Sequence, residues 1–292
     1  MTILVQSPGM FTTVQDLGRP GHGVQGVSRA GAADPLALRI GNRLLGNADN
    51  APALEMTLLG GTFQFPDGAQ IVLTGGRPAS LPAYEIIIAK PGETIRIGPL
   101  ETGARCYLSV SGGIEVPLVA GSASTHTLSG LGGQPLKKGD TLPIGKTGKT
   151  PTIKTLPAEL KTYSTQLRVT RGPQADLFDE AAFYASEYTV SQDSNRMGLR
   201  LEGPPVTGPQ HGQMITEGVP LGAIQIPANG QPIILFVDQQ TTGGYPKIAN
   251  IITADIPSTA QLRPRDHIRF QLVTNQEAQA ALRRQEELLN QL

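Results

Sequence analysis

Short apolar runs separated by glycine and proline recur along nearly the whole chain. Runs of this kind, rich in β-branched residues and bounded by turn-forming residues, are typical of β-strands. Apolar and polar residues alternate clearly within residues 94–97 and 267–270, so strands there should have one face toward a core and one toward solvent. The pattern predicts strands at about residues 70–74, 85–89, 94–97, 166–170, 223–226, 232–236 and 267–270.

Helical spacing of apolar residues is confined to a few places. Asp34 followed by Pro35 is typical of a helix start, because an acidic N-cap accepts a backbone N–H bond and proline suits the first helical position. Thr274 and Glu277 have the spacing of a capping box, and alanines and leucines then recur at helical intervals. The sequence predicts helices over about residues 34–46, 174–184 and 275–290.

The order of these elements predicts a mainly β protein. Strands outnumber helices and do not alternate with them as a βαβ fold requires. The chain has 292 residues, which is longer than one small core needs. Residues 145–165 are dominated by Lys, Thr, Gly and Pro, a composition typical of a linker. We therefore predict two β-rich lobes, residues 1–157 and 158–292, with a few short helices.

The charge balance argues against nucleic acid as a partner. The chain has 24 basic and 24 acidic residues, without the dense basic cluster that phosphate binding needs.

The first residues of the chain lack the charged and apolar regions of a signal peptide. No apolar stretch approaches the roughly 18 residues of a membrane span. We therefore expect a cytoplasmic protein with no membrane association.

Several motifs for catalysis or cofactor binding are incomplete. Residues 145–150 resemble a phosphate-binding loop, but Pro143 stands where that loop requires its first glycine. The single cysteine, Cys106, lies in an apolar run and is predicted to be buried and inert. No lysine stands in the Met-Lys-Met context of biotin carriers, so this chain is not expected to carry biotin. No metal site is predicted, because no histidine has a partner at metal-ligand spacing; the histidines are His22, His126, His211 and His267.

Two segments combine acids, amides, hydroxyls and glycines beside strand or helix signals. They are residues 9–34 and 238–247. Loops of this composition on a rigid scaffold often form binding sites, and a glycine pair lets backbone N–H groups approach a ligand closely. The same residues also suit well-packed turns, in which Asp16 caps a turn and pairs with Arg19. The residues alone leave both interpretations open.

These segments and several other motifs resemble the family of biotin-dependent carboxyltransferase and allophanate hydrolase subunit 2 proteins. The resemblance extends over almost the whole chain as collinear motifs. They lie at residues 11–21, 31, 34, 41–47, 55–58, 73–75, 195–203, 222–227, 238–247, 254–255 and 260–261. One departure is Pro264-Arg265-Asp266, where Pro-Gly is expected, so a different type of turn is predicted there.

The resemblance implies a pair of cyclophilin-like β-barrels, in agreement with the many short strands. It implies a subunit that contributes to a shared active site with separate B and A subunits and is inactive alone. The implied reaction is opening of the lactam 5-oxo-L-proline to L-glutamate, driven by ATP that the complex uses with Mg²⁺. Two alternatives stay open. One is a component of a urea carboxylase or allophanate hydrolase pathway, and the other is a non-catalytic regulator that antagonises an inhibitor of a sensor kinase.

A lactam-opening site must stabilise developing negative charge and transfer protons. The candidates for proton transfer are Asp16, Asp34 and Asp238. The candidates for substrate binding are Arg19, Arg196, Gln225, Gln239, Thr241, Thr242, Gly243, Gly244 and Tyr245. Each of the two segments has only part of the required set of groups. We therefore predict that residues 11–34 and 238–247 approach within about 10 Å of each other and form one cleft.

Overall fold

The computed structural model describes residues 1–148, 156–208 and 214–292. The chain forms two compact units, each with its own core. Unit 1 comprises Met1–Arg19, Ala30–Lys161 and Gln291–Leu292, and unit 2 comprises Pro20–Arg29 and Thr162–Asn290. No sequence pattern signalled that residues 20–29 belong to the second unit. Part of the expected linker, residues 149–155, lies outside the described residues, and the lobe boundary at 157/158 stays a prediction.

Unit 1 is built on one eight-stranded sheet with a helix against it. Its elements are β1 (Thr2–Ser7), β2 (Thr12–Gln15), α1 (Pro35–Leu44), β3 (Ala53–Thr57), β4 (Leu59–Phe65), β5 (Ala69–Pro78), β6 (Ile86–Ala89), β7 (Glu93–Val110), β8 (Thr141–Pro143) and a 3-10 turn at Ala158–Lys161. The strand order is β2-β3-β7-β4-β1-β8, and β5 pairs with both β6 and β7.

The long strand β7 joins the parts of this sheet. It has 18 residues and pairs antiparallel with β3, β4 and β5. Leu54, Leu73 and Leu108, from three neighbouring strands, are fully buried in the same core cluster. Burial of one such side chain stabilises the fold by about 1.5–3 kcal/mol. The site residues of unit 1 therefore lie on a well-packed framework.

Unit 2 is a closed barrel of seven strands with a separate two-stranded ribbon. Its strands are β9 (Gln166–Arg171), β10 (Glu187–Val190), β11 (Gly198–Glu202), β12 (Glu217–Gly218), β13 (Ala223–Gln225), β14 (Ile233–Leu235), β15 (Thr242–Gly243), β16 (Lys247–Ile251) and β17 (His267–Leu272). Its α-helices are α2 (Glu180–Ala185), α3 (Ile256–Gln261) and α4 (Asn275–Leu289), with 3-10 turns at Gly23–Gln25, Ala175–Leu177 and Thr253–Asp255.

The barrel closes through an antiparallel pair and contains one parallel pair. The order is β10-β11-β14-β13-β16-β9-β17, and β17 returns to pair with β10. β17 and β9 run parallel, whereas the other neighbouring strands run antiparallel. The short ribbon of β12 and β15 lies outside the barrel path. The mainly β fold and the strands predicted from short apolar runs are confirmed.

Two of the three predicted helices are confirmed, together with their start signals. The Asp34 side chain accepts a hydrogen bond from the Ala37 N–H at 2.8 Å, and α1 begins at Pro35. At α4, Thr274 and Glu277 form the reciprocal capping box. Both starts depend on neighbouring residues only, so the sequence was sufficient to place them.

The predicted continuous helix over residues 174–184 is wrong. A 3-10 turn at Ala175–Leu177 ends at Phe178, whose backbone is extended at φ −127° and ψ 160°. A new helix, α2, then begins after Asp179, whose side chain accepts a hydrogen bond from the Ala182 N–H at 3.0 Å. Asp179 therefore starts a separate helix instead of continuing the first one.

Two local expectations concern Cys106 and Arg265. Cys106 is fully buried, as expected, and burial raises the pKa of its thiol to about 12, so it is inert as a nucleophile at neutral pH. Arg265 has φ 75°, a left-handed conformation that glycine favours. The turn there thus has a glycine-like backbone although it carries arginine.

Among the helices of the described ranges, none is both long enough and apolar enough to cross a membrane.

Candidate functional site

Asp16 follows β2 and binds a neighbouring loop of unit 1. Its carboxylate accepts hydrogen bonds from the Ser122 and Ser124 hydroxyls, both at 2.6 Å, and from the Ala123 N–H at 2.8 Å. It also accepts the Gly18 N–H at 2.7 Å, which closes a turn at the end of β2. A carboxylate with this many donors is well satisfied although it is 1% exposed. Asp16 thus joins the end of β2 to residues 122–124, and its role in proton transfer stays a prediction.

Arg19 binds the same loop through backbone carbonyl groups. Its guanidinium donates to the carbonyls of Ser124 and Val119, the latter at 3.3 Å. The side chain is only 1% exposed. Together with Asp16, it joins the segment after β2 to the loop at residues 119–124. Its role as an anion clamp stays a prediction.

Asp34 lies in a buried polar cluster between α1 and the sheet of unit 1. Its N–H donates to the Tyr107 hydroxyl at 2.8 Å, and that hydroxyl donates to Glu55 Oε2 at 2.6 Å. The Arg105 guanidinium lies 3.8 Å from the other oxygen of Glu55. Burial, followed by the charges of Glu55 and Asp34, raises the pKa of Tyr107 well above its ordinary value, so the phenol stays protonated and donates. Sequence reasoning missed the roles of Tyr107 and Arg105, which lie on β7.

In unit 2, Arg196 and Asp238 form a buried two-pronged ion pair. The Arg196 guanidinium donates to Asp238 Oδ2 at 2.8 Å and to Oδ1 at 3.0 Å. The Asp238 N–H also donates to the Arg196 carbonyl at 2.8 Å. The side chains are 9% and 3% exposed. This pair fixes the start of the second segment against the turn before β11.

The structure brings the amides and the loop residues of the second segment together around the ribbon, defined as Glu217–Gly218 and Thr242–Gly243. Gln225, on β13, donates through Nε2 to the Tyr245 carbonyl at 3.3 Å. Gln239 donates through Nε2 to the Val219 carbonyl at 3.0 Å, directly after the first ribbon strand. The Val219 N–H in turn donates to the Thr241 carbonyl at 3.1 Å. Thr242 and Tyr245 are exposed, so this cluster offers neutral donors and acceptors at a surface.

The neighbouring glycines Gly243 and Gly244 differ in the space around them. A Cβ on Gly243 would lie 2.7 Å from Gln225 Nε2 and 3.3 Å from Val219 Cγ1. A Cβ on Gly244 would meet its nearest atom, the Met214 carbonyl oxygen, at 3.3 Å. Gly243 is thus required for close approach to the buried Gln225 amide, whereas Gly244 has more room.

We expect Gly243→Ala to break the hydrogen bond from Gln225 to the Tyr245 carbonyl, because the new methyl group displaces the amide. The loss should cost about 1 kcal/mol of unfolding free energy. The side-chain amide resonances of Gln225 in a ¹⁵N NMR spectrum should move, and Gly244→Ala, the matched control, should leave them in place. Unchanged Gln225 resonances in Gly243→Ala would contradict this packing.

Gln174, Glu217 and Lys247 form a further polar group that sequence reasoning did not assign. The Lys247 ammonium binds the Glu217 carboxylate, and Gln174 Nε2 donates to Glu217 Oε1 at 2.9 Å. The pKa of Glu217 is lowered from its ordinary value, and the hydrogen bond from Lys247 is the largest cause. Lys247 is the last residue of the second segment, so its place in that segment was the signal that could have identified it. Its partners lie 30 and 73 residues away in sequence.

The first segment is divided between the two units. Residues 20–29 belong to unit 2, where the Ser28 hydroxyl donates to the Val237 carbonyl at 3.4 Å. Val237 directly precedes Asp238, so this part of the first segment lies beside the start of the second. Asp16, Arg19 and Asp34 belong to unit 1. Their participation in a common cleft with Asp238 stays a prediction.

Among residues 1–148, 156–208 and 214–292, no group of three or more His, Cys, Asp or Glu side chains is placed to hold a metal ion. His211, one of the histidines considered from sequence, lies outside these residues.

A mainly β chain with a closed seven-stranded barrel and a surface cluster of amides and glycines fits a carboxyltransferase-type domain. The chain belongs to the family described as "Carboxyltransferase domain, subdomain A and B", whose model matches residues 25–272. It is 41% identical over 296 residues to the 5-oxoprolinase C subunit of Escherichia coli (strain K12), with 97% of this chain and 95% of that protein covered. It is 37% identical to the 5-oxoprolinase C subunit of Haemophilus influenzae, with 94% of this chain and 92% of that protein covered.

Larger proteins contain a similar domain. The crystal structure of the urea amidolyase of K. lactis superposes with a TM-score of 0.92 at 31% identity, covering 100% of this chain and 20% of that chain. The Saccharomyces cerevisiae urea amidolyase is 32% identical over 92% of this chain, which spans 16% of that protein. The chain thus spans nearly the whole of the two bacterial relatives and about a fifth or less of these urea amidolyases.

Proposed function

We propose that this chain is the C subunit of an ATP-dependent 5-oxoprolinase, which opens 5-oxo-L-proline to L-glutamate together with A and B subunits in the cytoplasm. The observation that carries the proposal is end-to-end similarity to two bacterial 5-oxoprolinase C subunits, with 95% and 92% of their lengths covered. A protein named as one subunit of an enzyme implies that other subunits complete it. Similarity to a urea amidolyase is lower, at 32%, and covers only 16% of that protein.

The chemistry of the lactam explains why ATP is required. An amide carbonyl is a poor electrophile, and its nitrogen is a poor leaving group. Transfer of the γ-phosphoryl group to the carbonyl oxygen gives an activated species that water attacks at carbon. ADP leaves in that first transfer. Breakage of the C–N bond, with protonation of the ring nitrogen, then leaves an acyl phosphate, and a second water hydrolyses it to L-glutamate and phosphate. A site for this sequence needs donors for the oxygen and groups that hold the ring in place.

Within this proposal, unit 2 contributes substrate-binding groups. The amides of Gln225 and Gln239, and the backbone of residues 241–245, are neutral donors and acceptors matched to a lactam. Arg196 and Asp238 hold this loop in place through their ion pair. The carboxylates of Asp16 and Asp34 accept hydrogen bonds within unit 1, and they remain, with Asp238, the candidates for proton transfer in the complete complex.

The proposal assigns ATP and Mg²⁺ to the complex and not to the described residues of this chain. Mg²⁺ prefers several oxygen ligands at octahedral positions. The described residues lack a cluster of three acidic or other metal-ligating side chains, so they do not fit that requirement alone. Biotin is likewise not assigned to this chain.

Reconstitution tests the proposal directly. A mixture of this chain with its A and B subunits should convert 5-oxo-L-proline to L-glutamate with release of phosphate, and none of the three proteins should do so alone. Glutamate is measured by chromatography and phosphate by a colorimetric assay. Omission of this chain from the mixture should abolish glutamate formation. Full activity without it would refute the proposal, and so would steady lactam hydrolysis by the isolated chain.

A role in urea carboxylation is the second candidate, because the urea amidolyase structure matches the whole chain at a TM-score of 0.92. The same purified proteins are therefore supplied with urea, bicarbonate and a carboxylated biotin carrier. Carboxylation of urea in that mixture, without glutamate formation from 5-oxo-L-proline, would favour the second candidate over the first.

A further inference from the structure

Lys247 is a buried cation to which the proposed reaction gives no role. Its side chain is 5% exposed, whereas the carboxylate that it binds, Glu217, is 40% exposed. A lysine ammonium is seldom retained in a buried position without a charged partner, because removal from water is costly. The pair therefore connects the buried strand β16, which begins at Lys247, to a carboxylate at the surface.

Gln174 completes this connection. Its Nε2 donates to Glu217 at 2.9 Å, and its Oε1 accepts the Lys247 backbone N–H at 3.1 Å. The Gln174 N–H donates to the Lys247 carbonyl at 3.2 Å, which fixes the two residues relative to each other. Glu217 is thus held by two side chains that are themselves held by the barrel.

Glu217 belongs to the ribbon that carries substrate-binding residues. It lies opposite Gly243, and Gly218 lies opposite Thr242. Two paired strands of two residues each are not stable by themselves, so such a ribbon needs contacts with the rest of the protein. The bonds from Lys247 and Gln174 to Glu217 supply such a contact on the first ribbon strand. The bond from Gln239 to the Val219 carbonyl lies directly after that strand.

We propose that Lys247 is a positioning residue, which fixes the ribbon through Glu217 and so sets the place of the Gly243 and Gln225 groups that bind substrate. The proposal rests on the proposed function, because the ribbon is taken as the binding surface for 5-oxo-L-proline. Lys247 acts at a distance here and does not contact the lactam. Its removal should affect binding of the lactam more than the chemical steps that follow.

Lys247→Met keeps most of the length of the side chain and removes its charge. In the reconstituted complex we expect the KM for 5-oxo-L-proline to rise about tenfold while kcat falls less than about threefold. The matched control is Arg171→Met on the neighbouring strand β9, which removes one positive charge from an exposed ion pair with Glu180. The control should leave both constants near those of the natural protein.

Hydrogen exchange and two further variants separate positioning from general stability. Residues 216–219 and 241–245 should exchange faster in Lys247→Met, while strands β10 and β17 stay protected. Lys247→Arg should restore KM toward the natural value, because it returns a cation. Adding Glu217→Gln to Lys247→Met should raise KM little further, since the two residues act through one contact.

An unchanged KM in Lys247→Met, or unchanged exchange of the ribbon, would overturn the positioning role. Fully additive effects of the two substitutions on KM would also overturn it. Absence of glutamate formation by the natural complex would instead refute the proposed function. In that case the exchange experiment on the isolated chain still tests whether Lys247 holds the ribbon.

Discussion

Arg196→Met should destabilise unit 2 by about 3–5 kcal/mol, because it leaves the Asp238 carboxylate buried without its cation. Asp238 is 3% exposed, and its carboxylate accepts two hydrogen bonds from the Arg196 guanidinium. The change is measured by urea unfolding followed by circular dichroism, since the chain has no tryptophan.

The double variant Arg196→Met with Asp238→Asn should recover part of this loss, since no charge is then left buried. The ion pair of Arg171 and Glu180 provides the control, because these side chains are 46% and 26% exposed and water reaches both. Arg171→Met should therefore change unfolding far less. A loss below about 0.5 kcal/mol for Arg196→Met would contradict the structural importance of the buried pair.

Asp16→Asn should destabilise unit 1 by about 3 kcal/mol, because a charged acceptor for several buried donors is lost. An asparagine side chain has one oxygen, so its NH₂ group must face either the donors at Oδ1 or the Ala123 N–H at Oδ2. If NH₂ occupies the Oδ1 position, the Gly18 N–H loses its acceptor. The serine hydroxyls can rotate, but neither backbone N–H can.

The control for this variant is Asp67→Asn, because the Asp67 side chain is 53% exposed and should tolerate the change. Unfolding is followed by hydrogen exchange of β2 and of residues 119–125, the two parts that Asp16 joins. Normal unfolding of Asp16→Asn with turnover reduced about a hundredfold in the complex would instead identify Asp16 as a proton-transfer group.

The features predicted correctly from sequence are those that neighbouring residues determine. Asp34 with Pro35 and Thr274 with Glu277 set helix starts within a few positions, so their effect is visible in a short window. Short apolar runs between turn residues likewise identify strands. The break at Phe178 was missed because a competing N-cap, Asp179, interrupts a stretch whose composition alone suits one helix.

Partners that are distant in sequence could not be predicted. Asp16 and Ser122 are 106 residues apart, and Arg196 and Asp238 are 42 apart. An acidic residue in a glycine-rich loop suits either catalysis or a turn, and only the positions of its hydrogen-bond donors distinguish these roles. The loop at residues 238–247 was recognised from composition, whereas its anchor through Glu217 required knowledge of which strands pair.

Residues 20–29 belong to unit 2 although they lie between two parts of unit 1 in sequence, and this has a consequence for folding during translation. A ribosome produces these ten residues before most of unit 1 and long before the barrel strands with which they are grouped. The barrel can therefore acquire its full complement of chain only after residues 162–290 have emerged. A gene fragment that starts at residue 158 would encode every barrel strand yet lack the Ser28 bond to Val237. The two units are thus separate in their packing but not separable by one cut in the gene.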